Sequence, residues 1–217
     1  MEKFVYDPPM KPLAVVHADD HLLVVDKPSG LLSVPGKADE HKDSLELRVR
    51  TAYPEALLVH RLDMDTSGIM VFARNKAAQR HLGMQFEKRM MNKVYVARVD
   101  GVIADDTGVV DLPLILDWPN RPLQIVDHDN GKPATTGWRV LSRESQVTRV
   151  ELKPETGRTH QLRVHMQAIG HTILGDRFYG NAAQIAAEAR LQLHAQQLSL
   201  RHPDGGAWHK FVCDLPF

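Results

Sequence analysis

The chain has 217 residues, 43% of them hydrophobic and 25% charged, and its 27 Lys and Arg are balanced by 27 Asp and Glu. These values suit one compact domain, expected over 1–217, and exclude a disordered chain, a fibrous repeat and a polybasic protein that holds nucleic acid by bulk charge. No apolar run approaches the ~18 residues of a membrane helix, the first ten residues hold no apolar export segment, and the single cysteine, Cys213, excludes an internal disulfide and a cysteine-rich zinc site. A cytoplasmic protein is expected, with Cys213 a small hydrophobe in a last strand.

Apolar runs at 13–16 and 22–25 flank Asp19 and Asp20 and predict two strands joined by a turn, leading into Lys27-Pro28-Ser29-Gly30. Asp43 or Ser44 caps a helix that presents Leu45, Val49 and Ala52 and is stopped by Pro54. A strand is predicted at 69–73, a helix over 76–90 through Ala78, Leu82 and Phe86, and an alternating strand at 93–99. Further strands fall near 123–127, 135–142 and 146–152. The spacing then predicts a helix over 159–169, with Leu162, Met166 and Ile169 on one face, His160, Arg163 and Gln167 on another, and Gly170 as its stop. A last helix at 182–191 precedes two strands joined through Pro203-Asp204-Gly205-Gly206. Strands dominate without regular strand–helix alternation, which indicates an α+β fold with a mixed, largely antiparallel sheet flanked by helices and loops.

Charge is segregated along the chain. From Arg74 to Arg98 there are seven Lys or Arg and one acid, Glu87, whereas from Asp100 to Asp117 there are five Asp and no Lys or Arg. The basic segment reads either as a solvated helix face or as a track for a phosphate backbone.

Several site patterns are absent. Gly30 to Lys37 has five residues between its glycines, and Ala38 stands where a phosphate loop needs Ser or Thr. There is no HExxH pair or GxSxG elbow, and the 12 histidines are scattered, so no metal or cofactor is implied. What stands out is His60-Arg61-Leu62-Asp63-Met64-Asp65-Thr66-Ser67-Gly68, which on turn chemistry alone reads as a turn.

That stretch resembles the HRLDxxTSG signature of the RluA-type pseudouridine synthases. Lys27-Pro-Ser-Gly30, the strand Lys93-Val-Tyr-Val-Ala97, and Pro154-Glu-Thr-Gly-Arg-Thr-His-Gln-Leu-Arg-Val-His165 match further motifs of the family in the same order, so the resemblance spans nearly the whole chain. Asp117-Trp-Pro-Asn-Arg-Pro122, Gln124 and Gly131-Lys-Pro-Ala134 are similar to members that modify both large-subunit rRNA and the tRNA anticodon stem-loop.

The resemblance implies an enzyme that turns uridine into pseudouridine in structured RNA, with no cofactor, no metal and no protein partner, acting as a monomer. Asp63 matches the catalytic aspartate, Arg163 the arginine that pairs with it, Arg61 the residue inserted into the vacated base stack, and Tyr95 the aromatic that packs on the flipped base. Physical sense agrees. A carboxylate in a dry pocket protonates unless a positive neighbour holds it, and a stacked uridine must be extruded before a side chain reaches it. His60, Thr66, Ser67 and Gly68 are expected to shape the loop, and Asp65 to face solvent. Lys88, Arg89 and Lys93 are expected to lead RNA to the pocket, and Arg158 and His160 to meet phosphate at the start of the 159–169 helix. Larger relatives carry an N-terminal S4-like domain, for which no room is expected before Lys27. The competing readings are a single-target member of the family, an RNA-binding module without catalysis, and a glycosidic-bond hydrolase.

Overall fold

Asp19 turns the chain as its residue type suggests, its Oδ1 accepting from the backbone N–H groups of His21 and Leu22 at 2.8 Å each. The structure, a computed structural model, describes residues 5–217. The first four residues of the stretch read above for export lie outside the described residues. The chain divides into two compact units, one of residues up to 92 together with 195–214, the other of residues 93–194 with 215–217.

In the first unit, β1 (Ala14–Ala18) pairs antiparallel with β2 (Leu22–Lys27). Ser44 caps α1 (Leu45–Ala52), accepting from the Leu47 N–H at 3.3 Å, while Asp43 grips Arg48 through two bonds of 2.6 and 2.8 Å. Leu45 and Val49 point inward, but Ala52 is exposed. The two-residue strand β3 (Leu57–Leu58) and β2 both pair with β4 (Ser67–Ala73), all seven residues of which are buried. Asn75 caps α2 (Lys76–Glu87), accepting from the Ala78 N–H at 2.8 Å. This helix ends three residues short of the expected Met90, because Arg89 takes a left-handed φ of 56° and the Met90 N–H reaches back to Gln85 O at 2.8 Å.

The second unit is built on β5 (Asn92–Asp100), β6 (Thr107–Asp111), β9 (Thr135–Arg143) and β10 (Val147–Pro154), in the order β5-β10-β9-β6 with antiparallel ladders. A separate hairpin pairs β7 (Leu114–Leu116) with β8 (Gln124–Val126). Strands β3 and β7 are too short to show an alternation of their own, and β6, Thr-Gly-Val-Val-Asp, has none. The helix α3 (Gln161–Ala168) starts two residues later than expected, since His160 has φ 53°, and Gly170 follows it at φ 86°. The last helix, α4 (Ala182–Ala186), is half its expected length. Strands β11 (Leu193–Arg201) and β12 (Trp208–Val212) form the closing hairpin through Gly205 and Gly206, both at positive φ. The α+β class with a largely antiparallel sheet holds. Among the described residues no helix is long and apolar enough to cross a membrane.

The first unit's core packs Leu22, Val24, Ile69 and Val71 against Ala78 and Leu82 of α2 and against Phe211 and Cys213. Each fully buried Leu, Ile or Val contributes roughly 1.5–3 kcal/mol relative to an exposed one. Cys213 behaves as a hydrophobe, its thiol pushed up to about 12 by burial and by Asp26 and Asp214. In the second unit, Ala97, Val99, Val150 and Leu152 pack against Leu162 and Met166 of α3.

The β2–β4 register places Lys27 opposite Gly68, so the end of one strand and the start of the other meet where the 59–66 loop joins the sheet. Gly68 sits there at φ 116°, and a Cβ would lie 2.3 Å from Ala195 O. Gly68→Ala should therefore lower the stability by about 2 kcal/mol or more, seen as an earlier urea midpoint with little change in slope. Acid should weaken the second unit as well. Burial, with the Arg190 charge adding, pushes His194 down from its ordinary 6.5 to about 4, and burial lowers His165 too. These histidines stay neutral when folded and gain a proton on unfolding, so their contribution is complete above about pH 6.5 and declines on acidification. At pH 5 the His194 share of the loss is about 2 kcal/mol. Urea titrations at the two pH values should show it, and His194→Gln should shrink the difference.

Candidate active-site loop and a buried arginine

The loop between β3 and β4 is held through its backbone. Ser33 Oγ donates to Leu62 O at 2.6 Å and accepts from Leu62 N–H at 3.1 Å. Asp63 O accepts from the Thr66 N–H at 3.2 Å, closing a turn. Met64 O accepts from the Gly30 N–H and from Lys27 Nζ, each at 2.9 Å, and Asp65 O accepts from Ser29 Oγ at 2.6 Å. Four successive carbonyls, from 62 to 65, thus have partners, three of them supplied by residues 27–33. Asp63 itself is half-buried, and Arg61, two residues away, is exposed.

Lys27 is the unexpected member. It is fully buried, and Nζ also donates to Pro28 O at 3.0 Å and Leu31 O at 2.7 Å. An ammonium has three N–H donors, and three carbonyls receive them, which compensates for burying the charge. The sequence marks this lysine only through the Lys-Pro-Ser-Gly motif and gives no sign that it is buried.

His60, Thr66, Ser67 and Gly68 stand at the edges of this loop. His60 Nε2 accepts from the Val71 N–H at 3.0 Å, which fixes that nitrogen as unprotonated, and its ring stacks on Phe86 with centroids 4.5 Å apart. Thr66 and Ser67 are buried. Asp65 is half-buried rather than turned to solvent.

In the second unit, Arg163 is not on an exposed polar face of α3, because residues 161–166 are all buried. Its Nε and Nη2 donate to the two carboxylate oxygens of Asp176 at 2.8 and 2.6 Å, with both side chains almost wholly buried. Asp176 also accepts from the N–H groups of Phe178 and Tyr179 at 3.0 and 3.2 Å. The guanidinium carbon lies 5.0 and 5.2 Å from the Phe178 and Tyr179 ring centroids. Asp176 and Tyr179 were not foreseen, although an arginine flanked by Leu162 and Val164 on a buried helix needs an acid partner.

His160 is buried as well. Its ring stacks on Phe178, and Nδ1 shares a 2.7 Å hydrogen bond with the Tyr179 hydroxyl. Arg158 is half-buried, and its Nε donates to Pro133 O at 3.2 Å. The Gln161 side chain occupies the start of α3, accepting from Thr156 Oγ1 and the Arg158 N–H and donating to Thr135 O. Tyr95 is half-buried on β5 opposite Leu152. Lys93 is half-buried, donating to Thr156 O at 3.4 Å, whereas Lys88 and Arg89 are exposed at the end of α2. Two cations of the basic segment are neutralised where they stand, Arg74 by Glu55 at 2.6 Å and Arg98 by Glu188 and Glu144.

Comparison with known proteins matches residues 21–168 to the family described as RNA pseudouridylate synthase. The chain is 54% identical over 206 residues to the dual-specificity RNA pseudouridine synthase RluA of Yersinia pestis, covering 94% of this chain and 100% of that one. It is 55% identical over 214 residues to the protein of that name from Escherichia coli strain K12, covering 98% of each. Among solved structures, human RNA pseudouridylate synthase domain containing 1 superposes with a TM-score of 0.79 at 29% identity, covering 100% of this chain and 87% of that one. Human RNA pseudouridylate synthase domain containing 4 gives a TM-score of 0.75 at 28% identity, over 94% and 88% of the two chains. With its signature loop pinned by a buried lysine, and with matches of this extent in both sequence and fold, the chain belongs to the RNA pseudouridylate synthase family.

Proposed function

We propose that this enzyme isomerises uridine in stem-loops of both large-subunit rRNA and tRNA, with Asp63 as the carboxylate that acts on the nucleotide. The observation that supports the site is the fixed backbone from Leu62 to Asp65, which holds a half-buried carboxylate and an exposed arginine two residues apart. The two targets rest on the dual-specificity relatives, which match over nearly their whole length.

The chemistry breaks the N1–C1′ bond, turns the uracil and joins C5 to C1′, while the C5 hydrogen is lost and N1 gains a proton. Composition and oxidation state are unchanged, so no cofactor is called for. Asp63 acts as nucleophile or as base on the ribose. Arg61 takes the place of the extruded uridine in the stack, and Tyr95 packs on the flipped base, a contact worth ~1–3 kcal/mol against the few kcal/mol of extrusion. Arg163 serves as the positive neighbour of Asp63, on a rigid mount provided by Asp176 and the two aromatic rings. Lys88, Arg89 and Lys93 follow the RNA backbone, with Arg158 and His160 beside it. The enzyme acts in the cytoplasm as a monomer.

Asp63→Asn should bind RNA and unfold like the wild type yet form no pseudouridine; product from this variant would remove Asp63 from its role. Mapping pseudouridine in total RNA from cells with and without the gene should show loss at both an rRNA and a tRNA position, and loss in one RNA class alone would reduce the enzyme to a single-target member. Replacing Lys88, Arg89 and Lys93 together by Gln should flatten the dependence of log K on log salt by about 2, at ~0.7 per phosphate contact on a single strand. An unchanged slope would take these three cations off the RNA path.

A further inference from the structure

The tip of the β7–β8 hairpin in the second unit carries an indole that the fold holds in solvent. Trp118 is 67% exposed, and the Arg121 guanidinium lies over its ring at 4.6 Å from the centroid. The tip is rigidly closed. Asp117 N–H donates to Leu123 O at 2.9 Å, Asn120 N–H to Asp117 O at 3.1 Å, Leu123 N–H to Asn120 O at 3.2 Å, and Arg121 Nη1 to Trp118 O at 3.2 Å. Asp117, the acid of this loop, has a carboxylate oxygen taken by Asn120 Nδ2 at 2.9 Å, and among the described residues Arg121 forms no ion pair. The arrangement therefore combines a flat aromatic surface, one uncompensated positive charge and a loop closed on itself by four hydrogen bonds.

The base of the hairpin is fixed to residues already met. Leu114, Leu123 and Val126 pack with Val164 of α3, Phe178 and Tyr179. The Tyr179 hydroxyl accepts from the Gln124 N–H at 2.9 Å, bonds His160, and belongs to the ring that faces the Arg163 guanidinium. Gln124 and Arg121 are three residues apart, so the stack stands within roughly 10 Å of backbone from that hydroxyl-bonded anchor.

A single exposed tryptophan is unremarkable on a protein surface, and a cation over its ring contributes only about 0.5–1 kcal/mol there. Here the ring is presented on a braced loop, beside an arginine without an acid, on a hairpin packed against the helix that carries Arg163. We propose that Trp118 and Arg121 form a platform for an unpaired nucleotide of the RNA, with the base stacked on the indole and its phosphate met by the guanidinium. The inference rests on the reading that this chain acts on RNA stem-loops and adds a contact outside the signature loop. Stacking of this kind accepts any base, so the platform responds to whether a nucleotide is splayed out at that point of the loop, a reading of shape rather than of letter.

The test uses the full chain and a synthetic stem-loop of rRNA or tRNA, with binding and pseudouridine formation measured separately. Trp118→Ala should weaken binding about 5- to 100-fold at fixed salt, Trp118→Phe should keep most of the affinity, and Arg121→Gln should lower the salt slope by about 0.7. Because the ring is exposed, thermal unfolding of all three should match the wild type. Indole emission gives a second readout: RNA should quench the wild type, and the quench should shrink in Trp118→Phe although binding persists. Binding of Trp118→Ala within twofold of wild type, or an undiminished quench in Trp118→Phe, would overturn the platform while leaving the enzymatic reading intact. Conversely, a wild type that binds the stem-loop without making pseudouridine would overturn the enzymatic reading, and loss of affinity in Trp118→Ala would still support the platform.

Discussion

The Lys27 ammonium, buried at the end of β2, donates to the carbonyls of Pro28, Leu31 and Met64 and through the last of these sets where Asp63 stands. A buried cation is costly unless its donors are matched, and here the match is made by backbone oxygens that would themselves be costly to bury alone. The two deficits cancel only when the loop is closed, which ties the charge of one residue to the path of eight others. Arginine would serve poorly there, since its planar fork cannot distribute bonds among three carbonyls arranged around a point. At Arg163 the requirement is reversed. Asp176 presents two coplanar oxygens, the aromatic rings of Phe178 and Tyr179 lie by the guanidinium, and the planar fork is what fits. Each unit thus contains one buried cation whose shape suits its acceptors.

A net charge of zero has consequences for how such an enzyme holds RNA. Long-range attraction is weak, and much of the local positive charge is already spent, as with Arg74 on Glu55 and Arg98 on two glutamates. Affinity then has to come from short-range contacts, namely stacking on aromatic rings and cations placed where a splayed nucleotide arrives. The proposed extrusion of a uridine from a folded loop is suited to this balance, because unspecific adhesion to duplex RNA would offer nothing to flip.

Much of this was legible in the sequence, for definite reasons. The continuous apolar runs at 22–25 and 69–73 revealed β2 and β4, and Ser44 marked the start of α1, whereas the Asn75 cap of α2 went unread. The signature around Asp63 was visible as a dense run of turn formers. The limits of α2 and α3 were misplaced because they depend on Arg89 and His160 entering left-handed backbone, which is uncommon for any residue but glycine and is set here by the surrounding fold. The burial of Lys27 and the Arg163–Asp176 pair were hidden for another reason. Both join residues distant along the chain, and a charged side chain carries no periodic trace of its partner.

The two ends of the Asp63 loop are anchored to one pair of strands, since Lys27 closes β2 and Ser67 and Gly68 open β4, with Gly68 directly opposite Lys27. Opening the loop therefore requires breaking the carbonyl bonds to residues 27–33 while the strands beneath stay paired, which would expose a buried ammonium and several unsatisfied carbonyls at once. Opening gives up these hydrogen bonds, at roughly 1 kcal/mol each, together with the burial of Leu62, so the loop opens with the first unit rather than before it. Active-site geometry and unit stability are then one cooperative property. The backbone at Asp63 is fixed by the fold itself, and under the proposed mechanism the reorganisation falls on the nucleotide instead of the enzyme.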